Sequence, residues 1–310
     1  MLSRRNLRVK VMQVLFSMDH SNPITAEEAV RILDRNIEKS HRLLAFNFSL
    51  IVRVADFIQR GSEFKTTKLL PTEDDLHFST KLVGNPFISA LRGNKKIGGQ
   101  LKLFMGEEED LLVKSIFKKL AEQNEYKLYC AKKETSLKDE REIILFLYSK
   151  VIIKNPAYLL YAEDNFPECI NELGKIHFTV SESLEKLSPE SAESLLEFPD
   201  NQAEENFAKE LLEKTLTNND RFTEQIQPKL KNWDVDRIAR MDMILMKMAL
   251  CELLCFEQIP VKVSINEYID ISKVFSTPRS KDFINGILDT VMHDLRERNE
   301  IKKTGRGLVE

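Results

Sequence analysis

Apolar residues recur at three- and four-residue spacing along most of the chain, the period of helices burying one face. Leu7, Val11, Val14, Leu15 and Met18 form a narrow stripe on a first helix over residues 3–19. Ser21-Asn22-Pro23 turns the chain, and Thr25-Ala26-Glu27-Glu28 opens a second helix that reaches about Ser40. His41–Arg60 reads as a third, rich in Leu, Phe, Ile and Val. From Gly61 to Gly99 the period fails among Pro71, Pro86 and several glycines, so this stretch is expected to be an extended or looped linker. Helical spacing returns over Glu107–Lys133 and Lys138–Glu163. Pro167–Phe178 reads as irregular or a short helix, and Ser181–Pro199, acidic and serine-rich, as partly mobile. Residues 203–231 form one long helix, interrupted near Asn218-Asn219 and ended near Pro228.

The strongest pattern lies in Trp233–Leu295, which reads as three helices with two joints. Asp234 is a candidate N-cap for the first, whose run M-I-L-M-K-M-A-L-C-E-L-L-C-F is apolar nearly all round and so calls for neighbours on every side. Pro260 and Thr277-Pro278 break the chain. Ser280 is a candidate cap for the last helix, with Ile284, Ile287, Leu288, Val291 and Leu295 as its core stripe. Asp242 and Glu252 interrupt the apolar helix, where an unpaired carboxylate would be costly. Each either meets an arginine or a helix N-terminus inside the bundle or, for Asp242, sits at the edge and faces a protein or RNA partner. Arg237, Arg240 and Lys247 fall on the opposite, wet side. The ending K-K-T-G-R-G-L-V-E has no core pattern and should be exposed. A faint echo links residues 116–124, 147–155 and 211–219, each with Lys and Asn at one separation and an aromatic soon after: Tyr126, Tyr158 and Phe222.

At 310 residues the chain can bury a substantial core and hold two domains. A net charge of −3 means that any nucleic-acid site must be a local patch. No apolar run is long enough to span a bilayer and no signal-peptide pattern opens the chain, so a cytoplasmic protein is expected. Cys130, Cys169, Cys251 and Cys255 form no C-x-x-C pair and read as reduced thiols, not zinc ligands. There is no phosphate-binding glycine loop, H-E-x-x-H or nucleophile elbow, and the histidines are dispersed; no enzyme, cofactor or metal is expected. Glu107–Asp110 reads as the acidic first turn of a helix.

Two places could carry binding chemistry. On the first helix Arg5, Arg8, Met12 and Phe16 share a face within about 80° at roughly 100° per residue, Arg4 and Lys10 add charge, and no acidic residue precedes Asp19. This is either a solvated basic terminus or a phosphate-tracking patch with an aromatic edge on which a base can stack. At the start of the last helix stand Lys281, Phe283 and Asn285, where the positive helix end favours phosphate and Phe283 either covers the bundle end or stacks on a base. Gly286, early in that helix, points to close approach by another helix or a ligand.

A-L-C-E-L at Ala249–Leu253, I-P-V-K-V-S-I-N-E at Ile259–Glu267, F-I-N-G-I-L-D at Phe283–Asp289 and S-R-R-N-L-R-V-K-V-M-Q-V-L-F at Ser3–Phe16 together resemble the NusB family of bacterial transcription antitermination factors, in the family's order. Length, central insertion and the K-T-G-R-G-L ending are similar to a longer version found in one bacterial lineage. The resemblance implies an all-α fold, a pair of helical bundles, with residues 1–40 and 203–298 as the NusB-like domain, 41–202 as a helical insertion and 299–310 as a tail. It implies non-catalytic binding of the boxA element of nascent ribosomal RNA, jointly with the small-subunit ribosomal protein that acts as NusE, within the antitermination complex of RNA polymerase. Arg4, Arg5, Arg8 and Lys281 would then meet phosphates, Gln13 and Asn285 would offer amide hydrogen bonds, Phe16 and Phe283 would stack, and Asp242 would face the protein partner. Phe16 stands where the family often has Tyr, and Asp282 where a basic residue is common, which lowers the attraction for RNA. A scaffold without RNA contact, a ribosome-assembly factor and the RNA-binding part of an rRNA-modifying system are the alternatives.

Overall fold

The computed structural model describes residues 3–18, 24–66, 79–103, 106–190, 202–230 and 239–308, and among these all regular structure is helical. The chain is all-α. It divides into two compact units, Glu38–Pro199 and the pair Leu2–Ile37 with Asp200–Glu310.

The split unit contains α1 (Arg4–Ser17), the start of α2 (Ala26–Thr66), α10 (Gln202–Thr217), α11 (Asn219–Ile226), α12 (Arg240–Cys255), α13 (Val261–Phe275) and α14 (Ser280–Glu297). The helix α12 is its axle. It packs on α1, α10, α11, α13 and α14, and Leu245, Met246, Met248, Ala249, Leu250 and Leu253 are all buried. That explains why its apolar residues run round the whole circumference. The helix begins at Arg240 after an extended Ala239; Trp233, Asp234 and Arg237 lie outside the described residues. The middle of α1 is likewise enclosed: Arg8, Val9, Lys10 and Met12 are buried along with the expected stripe.

The other unit is built from the rest of α2 and from α3 (Pro86–Gly93), α4 (Lys95–Leu103), α5 (Glu107–Glu122), α6 (Asn124–Ala131), α7 (Leu137–Phe146), α8 (Pro156–Asn165) and α9 (Leu173–Lys186). The break expected at Ser40–His41 does not occur. Nothing there is a helix breaker, and Thr25 Oγ1 caps Glu28 N at 3.2 Å to start one unbroken helix of 41 residues. The linker expected over Gly61–Gly99 is corrected too, apart from residues 67–78, which lie outside the described residues. Pro86 opens α3 at its first turn, where a missing N–H costs nothing, so proline marks a helix start and not a loop. Asn85 caps that turn and, fully buried, donates to the Glu140 carboxylate at 2.6 Å. The serine-rich stretch begins inside α9, since residues to Lys186 are helical; residues 191–199 lie outside the description. The acidic run Glu107–Asp110 is the first turn of α5. Leu147–Ile152 is a π-helical turn between α7 and α8, and behind it Tyr148 and Tyr158 both donate to Asn47 Oδ1, at 3.1 and 2.8 Å.

All three echo segments fall at helix-to-helix joints, and Tyr126, Tyr158 and Phe222 each turn inward on the following helix. The tail departs from expectation. Lys303 Nζ donates to the carbonyls of Glu252 and Phe256 at 3.1 and 2.9 Å, closing the C-terminal end of α12, and Thr304 N reaches Glu257 O at 3.0 Å. Hydrogen bonds to the backbone dock this segment, and hydrophobic periodicity does not register such bonds.

Candidate functional site

The side chains of α1 separate into an inner group and two surface groups at opposite ends. Arg8 is inner, at 2 % exposure. Its Nε donates to Glu252 Oε1 at 2.5 Å and its Nη2 to Oε2 at 2.9 Å, a bidentate pair between α1 and α12. Glu252, fully buried, also accepts from Ser264 Oγ at 2.8 Å and Tyr268 OH at 2.7 Å. The guanidinium lies 5.3 Å from the Phe207 ring centre and 5.9 Å from that of Tyr268. Desolvation alone would weaken the Arg8 cation, but the hydrogen bonds and charge of Glu252, with Tyr268 and Glu267, carry its pKa above the ordinary value. Arg8 therefore cannot hold an RNA phosphate without opening the core, which corrects the sequence expectation. It is the partner that Glu252 required.

Arg4 and Arg5 are at the surface, and both are already engaged. Arg4 Nε meets Glu204 at 2.7 Å, and Arg5 Nη2 meets Glu267 at 2.7 Å and Asp270 at 2.9 Å. The Glu267 hydrogen bond is the main reason that the Arg5 pKa rises. The arginine end of α1 is thus a set of ion pairs with α10 and α13.

Some 12 residues on, about 18 Å along the helix axis, is the aromatic end. Phe16 is 44 % exposed, and the Arg240 guanidinium lies over its ring, 5.2 Å from the centre. Arg240 also donates to the Met18 carbonyl. On the same turn of α12 Asp242 accepts from Ser276 Oγ at 2.5 Å and Ser280 Oγ at 2.8 Å. The first turn of α12 therefore ties the end of α1 to the start of α14, where Lys281 and Asn285 are exposed. Gln13 is half-buried, its Oε1 enclosed without a partner among the described residues.

Three further expectations change. Asp242 is 4 % exposed and both its oxygens are occupied, so it braces the helix joint instead of facing a partner. Phe283 is 9 % exposed and packs in the core cluster, which leaves no open stacking face. Ser280 is the first residue of α14 and not its cap; its hydroxyl accepts from Thr277 N at 3.2 Å. A Cβ on Gly286 would meet nothing within 4 Å, so no packed helix explains that glycine. Sequence reading missed Arg240, placed on a merely wet face, and the acidic residues Glu204, Glu267 and Asp270. Helical spacing does not show which other helix a charged face will meet.

Residues 172–293 match the family model described as the NusB family, a span that takes in α9 to α13 and most of α14 and leaves α1 outside. That stretch of the chain is similar to a NusB family domain. Among similar curated proteins, the "Transcription antitermination protein NusB" of Salinibacter ruber is 44 % identical over 104 residues, 34 % of this chain and 65 % of that protein. The protein of the same name from Chloroherpeton thalassium is 44 % identical over 79 residues, 26 % of this chain and 37 % of that one. A third, from Natranaerobius thermophilus, is 37 % identical over 87 residues, 28 % of this chain and 63 % of its own. The matched part thus spans less than two thirds of each of these relatives, and this chain is longer than all three. No solved structure matches. Among the described residues, no single helix is long and apolar enough to cross a membrane. Within the matched span, α12 supplies Glu252, the partner of Arg8 on α1, and Asp242, the brace to the start of α14.

Proposed function

We propose that this chain acts without catalysis in transcription antitermination in the cytoplasm, binding the boxA element of nascent ribosomal RNA together with the small-subunit ribosomal protein that acts as NusE, within the antitermination complex of RNA polymerase. The observation that carries the reading is the exposed Phe16 ring under Arg240, tied through α12 to the open first turn of α14. A base can stack on the ring or the guanidinium plane, Asn285 offers an amide to a base edge, and Lys281 attracts phosphate. Arg4 and Arg5 extend the track only after exchanging Glu204, Glu267 and Asp270 for phosphate oxygens. That exchange lowers intrinsic RNA affinity and gives the protein partner a larger share of the binding.

The same ion pairs favour a second reading, a protein-binding scaffold without RNA readout. Titration of boxA RNA and a scrambled control, with and without the ribosomal protein, separates the two. The RNA reading expects boxA to bind more tightly than the control, with Phe16→Ala weakening it about tenfold, the worth of one stacked base. Equal, salt-insensitive binding of both RNAs beside tight capture of the ribosomal protein would establish the scaffold.

A further inference from the structure

The docked tail forms one wall of a groove that the RNA reading does not use. The groove, about 410 Å³, runs between the first turn of α13, the last turn of α14 and residues 301–308. Two glycines make the wall possible. Gly305 has φ +53°, and at Gly307 a Cβ would lie 1.9 Å from the Glu257 carbonyl oxygen, so the tail presses directly on the backbone after α12. Gln258 Nε2 donates to Thr304 Oγ1 at 3.0 Å, adding a side-chain bond to the backbone and Lys303 contacts.

The lining has two parts. Val261, Ile265, Met292, Ile301 and Leu308 make an aliphatic floor, with Leu308 left 67 % exposed although it belongs to a docked segment. Lys262, Arg296 and Lys303 supply three cations, and no acidic residue among those described lines the groove. Lys262 and Arg296 are exposed and enter no ion pair among the described residues, unlike Arg4, Arg5 and Arg8, which all meet carboxylates. Val261 and Lys262 stand in the opening turn of α13, whose positive end adds to the same field. On a chain of net charge −3, an all-cationic groove with an apolar floor is a local reversal.

We infer that this groove docks an acidic peptide segment of a partner protein, taking one large apolar side chain onto the aliphatic floor while flanking carboxylates meet Lys262 and Arg296. RNA suits the groove less well, because no aromatic side chain among the described residues lines it to stack a base. An apolar anchor with charged flanks is the usual division of labour at peptide-binding grooves. Val261, Lys262, Ile265 and Met292 lie within the span matched by the family model, whereas Arg296 and the wall of residues 301–308 lie beyond it.

The test is fluorescence anisotropy on the full chain with a fluorescein-labelled peptide carrying Leu-Phe between runs of Asp and Glu. Its controls replace Leu-Phe by Ser-Ser or the acids by Lys, and unlabelled boxA RNA serves as competitor. The acidic apolar peptide should bind at least tenfold more tightly than either control, and K262E with R296E should weaken it at least tenfold with the circular dichroism spectrum unchanged. Both residues are on the surface, so the variant is expected to fold. Equal binding of the three peptides, or an unchanged affinity in the variant, overturns the inference. So does displacement of the peptide by boxA RNA together with an equal loss of RNA affinity in K262E/R296E, which would make the groove a phosphate site. Phe16→Ala should leave peptide binding unchanged, so failure here and failure of the RNA reading are separable.

Discussion

Arg8→Ala should destabilise the split unit severely, and for reasons unrelated to RNA. The substitution removes two charge-assisted bonds of 2.5 and 2.9 Å and strands the Glu252 carboxylate, fully buried, with only the Ser264 and Tyr268 hydroxyls. Breaking a buried pair from one side costs about 3–5 kcal/mol. Loss of the guanidinium from beside the Phe207 and Tyr268 rings adds on the order of 1 kcal/mol. Against a domain stability of roughly 5–15 kcal/mol this is a large share. Arg4→Ala, removing a half-exposed ion pair from the same helix, should cost no more than about 1 kcal/mol. Urea denaturation read by circular dichroism, with native-state hydrogen exchange to resolve the two units, measures both. The double replacement Arg8→Met with Glu252→Leu should recover part of the loss, because an apolar pair of similar volume avoids desolvating either charge, although the Ser264 and Tyr268 hydroxyls then lose their acceptor. A loss below about 1 kcal/mol in Arg8→Ala, or no recovery in the double variant, would refute the reasoning. A drop in RNA binding by Arg8→Ala, if seen, should track the unfolded fraction and disappear at stabilising temperature.

Other consequences are more local. Glu267→Gln with Asp270→Asn releases Arg5 and should tighten boxA RNA by about three- to tenfold, given the worth of two surface ion pairs; unchanged affinity would remove Arg5 from the RNA track. Burial, with Lys154 nearby, pushes the His177 imidazole down to about 4 from the ordinary 6.5, while its Nε2 shares a 2.9 Å hydrogen bond with Tyr158 OH. Its contribution is therefore fully present above about pH 6.5 and is lost as pH falls from there towards 4, because the unfolded chain takes up the proton first. Unfolding of the Glu38–Pro199 unit at pH 7 and pH 5 should show this loss, and a His177→Gln chain with the same pH slope would contradict it. Gly307→Ala should release the tail, since the new methyl would sit 1.9 Å from Glu257 O. Trypsin should then cut after Lys302 and Lys303 much faster than in the parent chain, and equal rates would count against a docked tail.

The amino-acid sequence by itself determined the all-helical class, most helix joints and the larger part of the core, because these follow from local rules. Apolar period sets a helix's buried face, and Pro260 and Pro278 are excluded from helix interiors and so fall in the joints. It also showed that Glu252 needed a partner, since a buried carboxylate does whatever its surroundings. Tertiary structure alone decided which arginine that partner was. Arg5 and Arg8 share one face of α1, yet one is half exposed and the other enclosed, because α10, α12 and α13 cover the second and not the first. The same holds for Asp242 and Phe283, each legible as unusual but open between a buried and a partner-facing role until neighbouring helices were in place. The tail is the extreme case: it is held by hydrogen bonds of Lys303 and Thr304, most of them to backbone carbonyls, and by two glycines at close approach, and side-chain periodicity carries no trace of either.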